Sequence, residues 1–187
     1  NLGLFQHDTN VIYDLAVHDL SIMDFVLGKT PSSVSATGAR HFPDQTENVA
    51  FLSFMFEDSN LISHIHVNWL APVKMRRTLI GGSRKMVIYD DLEPSEKIKL
   101  YDKGVELVDT PDDIKKLMLS YRVGDLWVPN VEHSEPLQNM VQHFLACIRD
   151  NETPVTNGEV GLRIVRYLDA ANQSLRLNGT PVSIEKD

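Results

Sequence analysis

Asp14 and His18 stand four residues apart in the stretch Asn10 to Gly28, NVIYDLAVHDLSIMDFVLG. On a helix that spacing puts a carboxylate and an imidazole on one face, one turn apart. Stacked at the front of a helix, a carboxylate and a neutral imidazole make an acid–base pair. The positive end of the helix dipole favours the neutral ring. Asp14 reads equally well as a helix cap, which would leave His18 an ordinary helix residue.

Other groups have chemistry in reach. Lys74, Arg76 and Arg77 put three cations into the four residues KMRR of an acidic chain. Arg pairs pyrophosphate or carboxylate in a bidentate fork, so Lys74 and Arg76 are candidates for an anionic substrate group. The same residues suit a solvated strand end, or pairing with Asp90 and Asp91. His64 and His66 alternate onto one strand face, but no further ligands at suitable spacing accompany them, and no metal is expected. Tyr13, Trp69, Tyr121 and Trp127 have flat rings that suit the C–H faces of sugars, and suit a core equally. Cys147, the single cysteine, sits in an apolar helix stripe and reads as a small core residue. Gly81-Gly82-Ser83 lacks the spacing and the following helix of a phosphate loop.

The elements that must position these groups follow from periodicity and punctuation. A short strand, Val11–Tyr13, is expected to lead into a helix that starts near Asp14 and stops before Gly28. Strands are expected at Ser33–Ala39, Val49–Phe56 and Leu61–Leu70, with a hairpin turn at Asp58–Asn60. Shorter ones follow at Arg76–Ile80, Lys85–Tyr89 and Lys97–Asp102, with another within Gly124–Pro129. Pro111 to Met118 suggests a short helix inside an irregular stretch, 109–133. Ser134–Asp150 is a helix by its Leu137, Met140, Val141, Phe144, Leu145, Ile148 stripe, with Ser134 as cap. A last helix runs from about Gly158 to Asn178, ended by Gly179 and Pro181, before a closing strand at Val182–Ile184. Helix, strands, then two helices make an α+β fold, a mainly antiparallel sheet with helices on one face. The strand Val49–Phe56 is too apolar on both sides for water, so the open face is expected to make a homo-oligomer.

The chain has 187 residues, 42% of them hydrophobic and 24% charged, the make-up of an ordinary globular domain. A net charge of −8 excludes nucleic acid and an anionic membrane surface as partners. No apolar run reaches the length of a membrane span, and a single cysteine fits a cytoplasmic protein.

The block D-x-x-x-H followed by SIMDFVLG resembles the start of the C-terminal domain of the Gfo/Idh/MocA oxidoreductases. NWLAPVKMRRTLIGGSRKMVIYDD, EKIKLYDKG and EPLQNMVQHFLACIRDNETPVTNGEVGLRIVRYLDAANQSL continue the resemblance in family order over nearly the whole chain. It implies an open-faced sheet like the C-terminal domain of glyceraldehyde-3-phosphate dehydrogenase. It implies one substrate-binding and oligomerising domain over 1–187, cut from a longer protein whose dinucleotide-binding half precedes it. It implies NAD or NADP as cofactor, held mainly by that half, and a sugar or sugar nucleotide as substrate. His18 would then be the acid–base group and Asp14 would orient it or bind a hydroxyl. Lys74, Arg76, Tyr13 and Asn10 would contact substrate. A non-catalytic dimerisation module and an inositol or simple-sugar dehydrogenase domain are the alternatives.

Overall fold

The computed structural model describes residues 8–43, 45–57, 60–102, 104–107, 119–122, 124–132 and 134–185. They form two compact units. The first holds the chain up to Pro72 and from His143 onward; the second holds Val73–Gln142.

The first unit opens on a π-helical turn, Ile12–Ala16, which runs without a break into α1 (Val17–Leu27). The expected strand Val11–Tyr13 is replaced by helix. Asp14 is not the cap either. The side chain of Asn10 accepts from the backbone N–H groups of Ile12 (3.2 Å) and Tyr13 (3.4 Å), and Asp14 lies inside the turn. Asn10 is the better cap because its amide is both acceptor and donor, and it also reaches across to Asn172. Gly28 ends α1 at φ 57, as its type suggests, with its N–H on the Asp24 carbonyl.

Three strands follow, β1 (Ser33–Ala39), β2 (Val49–Met55) and β3 (Ile62–Asn68). With the closing strand β10 (Val182–Ser183) they form an antiparallel sheet in the order β10-β1-β2-β3. The β2–β3 register pairs Leu52 with Ile65 and Phe51 with His66. Alternation then sorts the strands into two faces. Val34, Ala36, Ala50, Leu52, Phe54, Ile65 and Val67 are buried under the helices, against Leu20 and Met23 of α1 and Ile164, Tyr167, Leu168 and Ala171 of a later helix. The opposite face exposes Phe51, Met55 and Ile62. That later helix is α3 (Gly158–Arg176), capped by the Asn157 side chain on the Val160 N–H at 2.9 Å.

Asp24 locks α1 to α3. Arg163 holds its carboxylate with two bonds, at 3.0 and 2.8 Å, and the Tyr167 hydroxyl donates at 3.0 Å. These contacts, Arg163 first, hold the Asp24 carboxyl below its ordinary range. Burial, above all, pushes the Tyr167 hydroxyl up to about 12.

The second unit carries β4 (Arg77–Gly81), β5 (Met86–Asp90), β6 (Ile98–Tyr101) and β9 (Leu126–Trp127) in one antiparallel sheet, in the order β4-β5-β6-β9. A separate antiparallel pair, β7 (Gly104–Leu107) with β8 (Leu119–Arg122), lies in a stretch expected to be irregular. Among the described residues the strands thus form three sheets, all antiparallel, within the expected α+β pattern. Pro111–Met118, two residues of the Asp58–Asn60 turn and the Tyr121 side chain lie outside the described residues. The boundary between units falls within α2 (Pro136–Asp150). Its stripe forms as expected, but Leu137, Met140, Val141, Phe144, Leu145 and Ile148 are exposed, so the helix contributes no buried residue. Among the described residues no helix is long and apolar enough to cross a membrane.

Candidate active site

The π turn is pinned from two sides before it presents any side chain. Asn10 is only 8% exposed and donates to the Asn172 side chain at 2.9 Å. The Val11 N–H donates to the Glu47 carbonyl at 3.0 Å, tying the turn to the β1–β2 connection. Single π turns are rare and collect at functional sites, because the wider turn redirects neighbouring side chains.

Asp14 is half-buried and points to the end of β3. Its Oδ2 accepts the indole N–H of Trp69 at 2.7 Å. Trp69 is itself buried, with its backbone N–H on the Asn48 carbonyl at 2.9 Å. Of the two readings open to this ring, burial in the core is the one present, and its N–H orients the carboxylate. His18, at the start of α1, is exposed and has no hydrogen-bond or ion-pair partner among the described residues. No hydrogen bond joins Asp14 to His18, so the pair shares a helical run without direct contact. What the arrangement offers is a free imidazole at a helix start, with a positioned carboxylate four residues before it.

Tyr13, the neighbour of Asp14, turns to α3 and donates its hydroxyl to Asp169. Burial and that carboxylate push the phenol up to about 12, so it stays a donor at every physiological pH. Tyr13 and Asn10 both line a cavity of about 590 Å³ in the first unit. Sequence reasoning did not single out its other polar walls, Arg40, Glu47, Asn172 and Arg176. A signal was available: Asp169, Asn172 and Arg176 recur at three and four residues, a polar stripe on α3 beside the apolar one.

Lys74 and Arg76 lie in the second unit. Arg76 is paired with Asp91 at 3.5 Å, and Arg77 grips Asp90 with Nε at 2.9 Å and Nη2 at 2.7 Å. The pairing with the acidic stretch is thus the arrangement present. Lys74 is exposed, without an ion-pair partner among the described residues. His64 and His66 lie on the open sheet face. The ring of His66 stacks on Phe51 at 4.4 Å, and His64 meets the Ser53 hydroxyl at 3.0 Å. No group of three or more metal-ligating side chains occurs among the described residues. Cys147 is half-buried one turn from His143, which also accepts the Val155 N–H at 3.1 Å. Gly82 sits in the β4–β5 hairpin, its N–H on the Lys85 carbonyl at 2.9 Å, and opens no helix.

Residues 5–88, which include the whole Asn10–Gly28 stretch, match the model of the GFO/IDH/MocA C-terminal domain. Among solved structures the chain is similar to the UDP-N-acetylglucosamine 3-dehydrogenase GnnA from Acidithiobacillus ferrooxidans. The TM-score is 0.74 at 17% identity, over 95% of this chain and 52% of that one. An aldose-aldose oxidoreductase from Caulobacter crescentus, complexed with glycerol, gives 0.70 at 15% identity over 93% and 47%. The WlbA dehydrogenase from Bordetella pertussis, in complex with NADH and UDP-GlcNAcA, gives 0.58 at 16% over 95% and 46%. At these identities the likeness is one of fold, and the chain spans about half the length of each of these structures. No curated protein matches. The family match thus lies over the π turn and α1, and the fold of these oxidoreductase structures is shared along nearly the whole length of the chain.

Proposed function

We propose that the chain is the substrate-binding and oligomerising half of an NAD(P)-dependent dehydrogenase acting on a ring hydroxyl of a sugar or sugar nucleotide. The observation that carries this reading is His18, an unpartnered imidazole at the start of α1, beside an Asp14 whose carboxylate Trp69 holds in place. His18 takes the hydroxyl proton as the carbon loses hydride, and returns it in the reverse direction. Asp14 accepts a neighbouring hydroxyl, its second oxygen being fixed on the indole. Tyr13 and Asn10 shape the wall next to the reacting carbon, and Lys74 is the candidate for an anionic group, Arg76 being paired at rest with Asp91.

NAD or NADP, when bound, accepts the hydride. It belongs chiefly to a dinucleotide-binding half outside this chain, since the Gly81-Gly82 turn is a hairpin and not a phosphate cradle. Two of the similar structures bear names or ligands of sugar-nucleotide chemistry, which supports the substrate class. The open face of β1–β2–β3 supports self-association. Thr37, Phe51, Met55, Ile62, His64 and His66 are exposed there, with no Lys, Arg, Asp or Glu on those three strands. A cytoplasmic location is part of the same proposal.

The test is NAD(P)H formation by the full-length protein over a panel of sugars and sugar nucleotides, with His18→Ala in parallel. Turnover should fall by about 10²–10⁴ in the variant. Unchanged turnover would leave a non-catalytic assembly module as the better account.

A further inference from the structure

Three consecutive residues, Thr46, Glu47 and Asn48, hold both sides of the contact between Asp14 and Trp69. The Thr46 hydroxyl donates to the Thr9 carbonyl at 2.7 Å, and the Val11 N–H donates to the Glu47 carbonyl at 3.0 Å. Both bonds tie down the chain just ahead of the π turn that carries Asp14. The next carbonyl, that of Asn48, accepts the backbone N–H of Trp69 at 2.9 Å. Trp69 follows directly on β3 and gives its indole N–H to Asp14 Oδ2 at 2.7 Å. The contact that aims the carboxylate is therefore closed through the root of the β1–β2 connection.

The side chain of Asn48 keeps that root in place. It is fully buried, one residue ahead of β2. Its backbone N–H meets the Ala39 carbonyl at 3.1 Å, just past the last β1–β2 pair, Ala39 with Val49. One orientation of its amide satisfies every neighbour. The amide then donates to the Ala39 carbonyl at 3.2 Å and to His41 Nδ1 at 2.7 Å, and accepts the His41 backbone N–H at 3.2 Å. A carboxylate has no donor for the first two, and an aliphatic side chain serves none of the three. Connecting segments are mobile by default, and a buried polar group with all its partners makes one rigid.

We infer that Asn48 is a positioning residue for the Asp14 carboxylate. Its amide fixes the root of the β1–β2 connection, and the Glu47 and Asn48 carbonyls then set the π turn and Trp69 against each other. It acts through the indole and the turn, not by contact with substrate. Its bearing on turnover rests on the dehydrogenase reading.

The experiment uses the full-length protein with tryptophan labelled by nitrogen-15. The Trp69 indole N–H resonance is assigned by its loss in Trp69→Phe, and Asp14→Ala gives its position when no carboxylate meets it. In Asn48→Ala the resonance should move toward that position while the other indole signals stay, and kcat/KM should fall about tenfold. In an Asp14→Ala background Asn48→Ala should cost no more than about twofold, because the carboxylate it positions is already gone. A thermal melt follows folding in each variant. An indole resonance that stays put in folded Asn48→Ala would overturn the inference, and so would losses that multiply in the double variant. Where Asn48→Ala does not hold its fold, Asn48→Ser takes its place under the same two criteria, its hydroxyl still able to donate to the Ala39 carbonyl. A shifted indole resonance with no NAD(P)H formed by the wild type would sink the dehydrogenase reading and leave the positioning of Asp14 standing.

Discussion

In the first unit the Asp14 carboxylate meets an indole N–H, and His18 meets no described side chain. In the second, Arg76 and Arg77 each meet a carboxylate one strand away, at Asp91 and Asp90. As sequence, the first region stood out by the spacing of a carboxylate and an imidazole, and the second by three cations in four residues. The structure separates them by what the charge is doing at rest. On the proposed reading Asp14 is oriented by a third party, Trp69, whose indole N–H it accepts. A group already paired with its own hairpin needs nothing from outside, and exposed pairs of that kind add little to stability.

The largest effect should come from breaking the first region. His18→Ala in the full-length protein should cost about 10²–10⁴ in turnover, read as initial rates with KM within a few-fold. If His18→Ala and Arg76→Ala cost the same, the contrast between the regions is wrong.

Second in size is a stability effect within the first unit. Asp24→Asn breaks the pair with Arg163, whose side chain is only 26% exposed. The expected loss is about 3 kcal/mol, at the low end for a buried pair because Arg163 keeps some water, measured by urea unfolding. Arg163 holds the native carboxyl of Asp24 below its unfolded value. Its contribution is therefore complete above the ordinary carboxylate range. It begins to fade as pH falls below the ordinary carboxylate value and is gone only below the lowered native one, so the gap between variant and wild type should narrow progressively over that acid range.

Trp69→Phe tests how the first region is positioned. It keeps an aromatic ring in the core, leaves a small void where the rest of the indole was, and removes the N–H on Asp14. A hydrogen bond to a charged group contributes about 1.5–3 kcal/mol, so a tenfold or greater loss in kcat/KM is expected. The melting temperature should move less than in Asp24→Asn. An equal drop in stability and no drop in rate would make Trp69–Asp14 a structural contact only.

How much of this was legible beforehand depends on whether the signal was local. The strands Ser33–Ala39 and Val49–Met55, the α3 stripe and the Gly28 stop follow from alternation, period and glycine conformation, which act within a few residues. The start of the first helix was misread because Asp14 looks like a cap. The true cap, Asn10, is chosen by a partner, Asn172, that lies 162 residues away. Trp69 on Asp14 and Arg163 on Asp24 are equally long-range, and no periodicity reports them. The Asp14–His18 spacing placed both residues on one helical run. It did not reveal that the carboxylate is turned to β3 by a π turn. The exposed face of β2 and β3 was legible, since His64 and His66 alternate with the buried Ile65 and Val67.

The smallest effect sharpens the comparison from the other side. Arg76→Ala removes a guanidinium that is half exposed and 3.5 Å from Asp91, where Lys97 also approaches, at 3.9 Å. With a second cation beside it, Asp91 is not left alone, and the β4–β5 register does not depend on that side chain, because five residue pairs hold it. KM for a sugar nucleotide should therefore stay within about twofold and the melting temperature should be unchanged. A tenfold rise in KM at constant kcat would mean that the Arg76–Asp91 pair opens for substrate. Arg76 would then share the anion-binding role after all, and a resting ion pair would have to be counted as a closed form of a binding group.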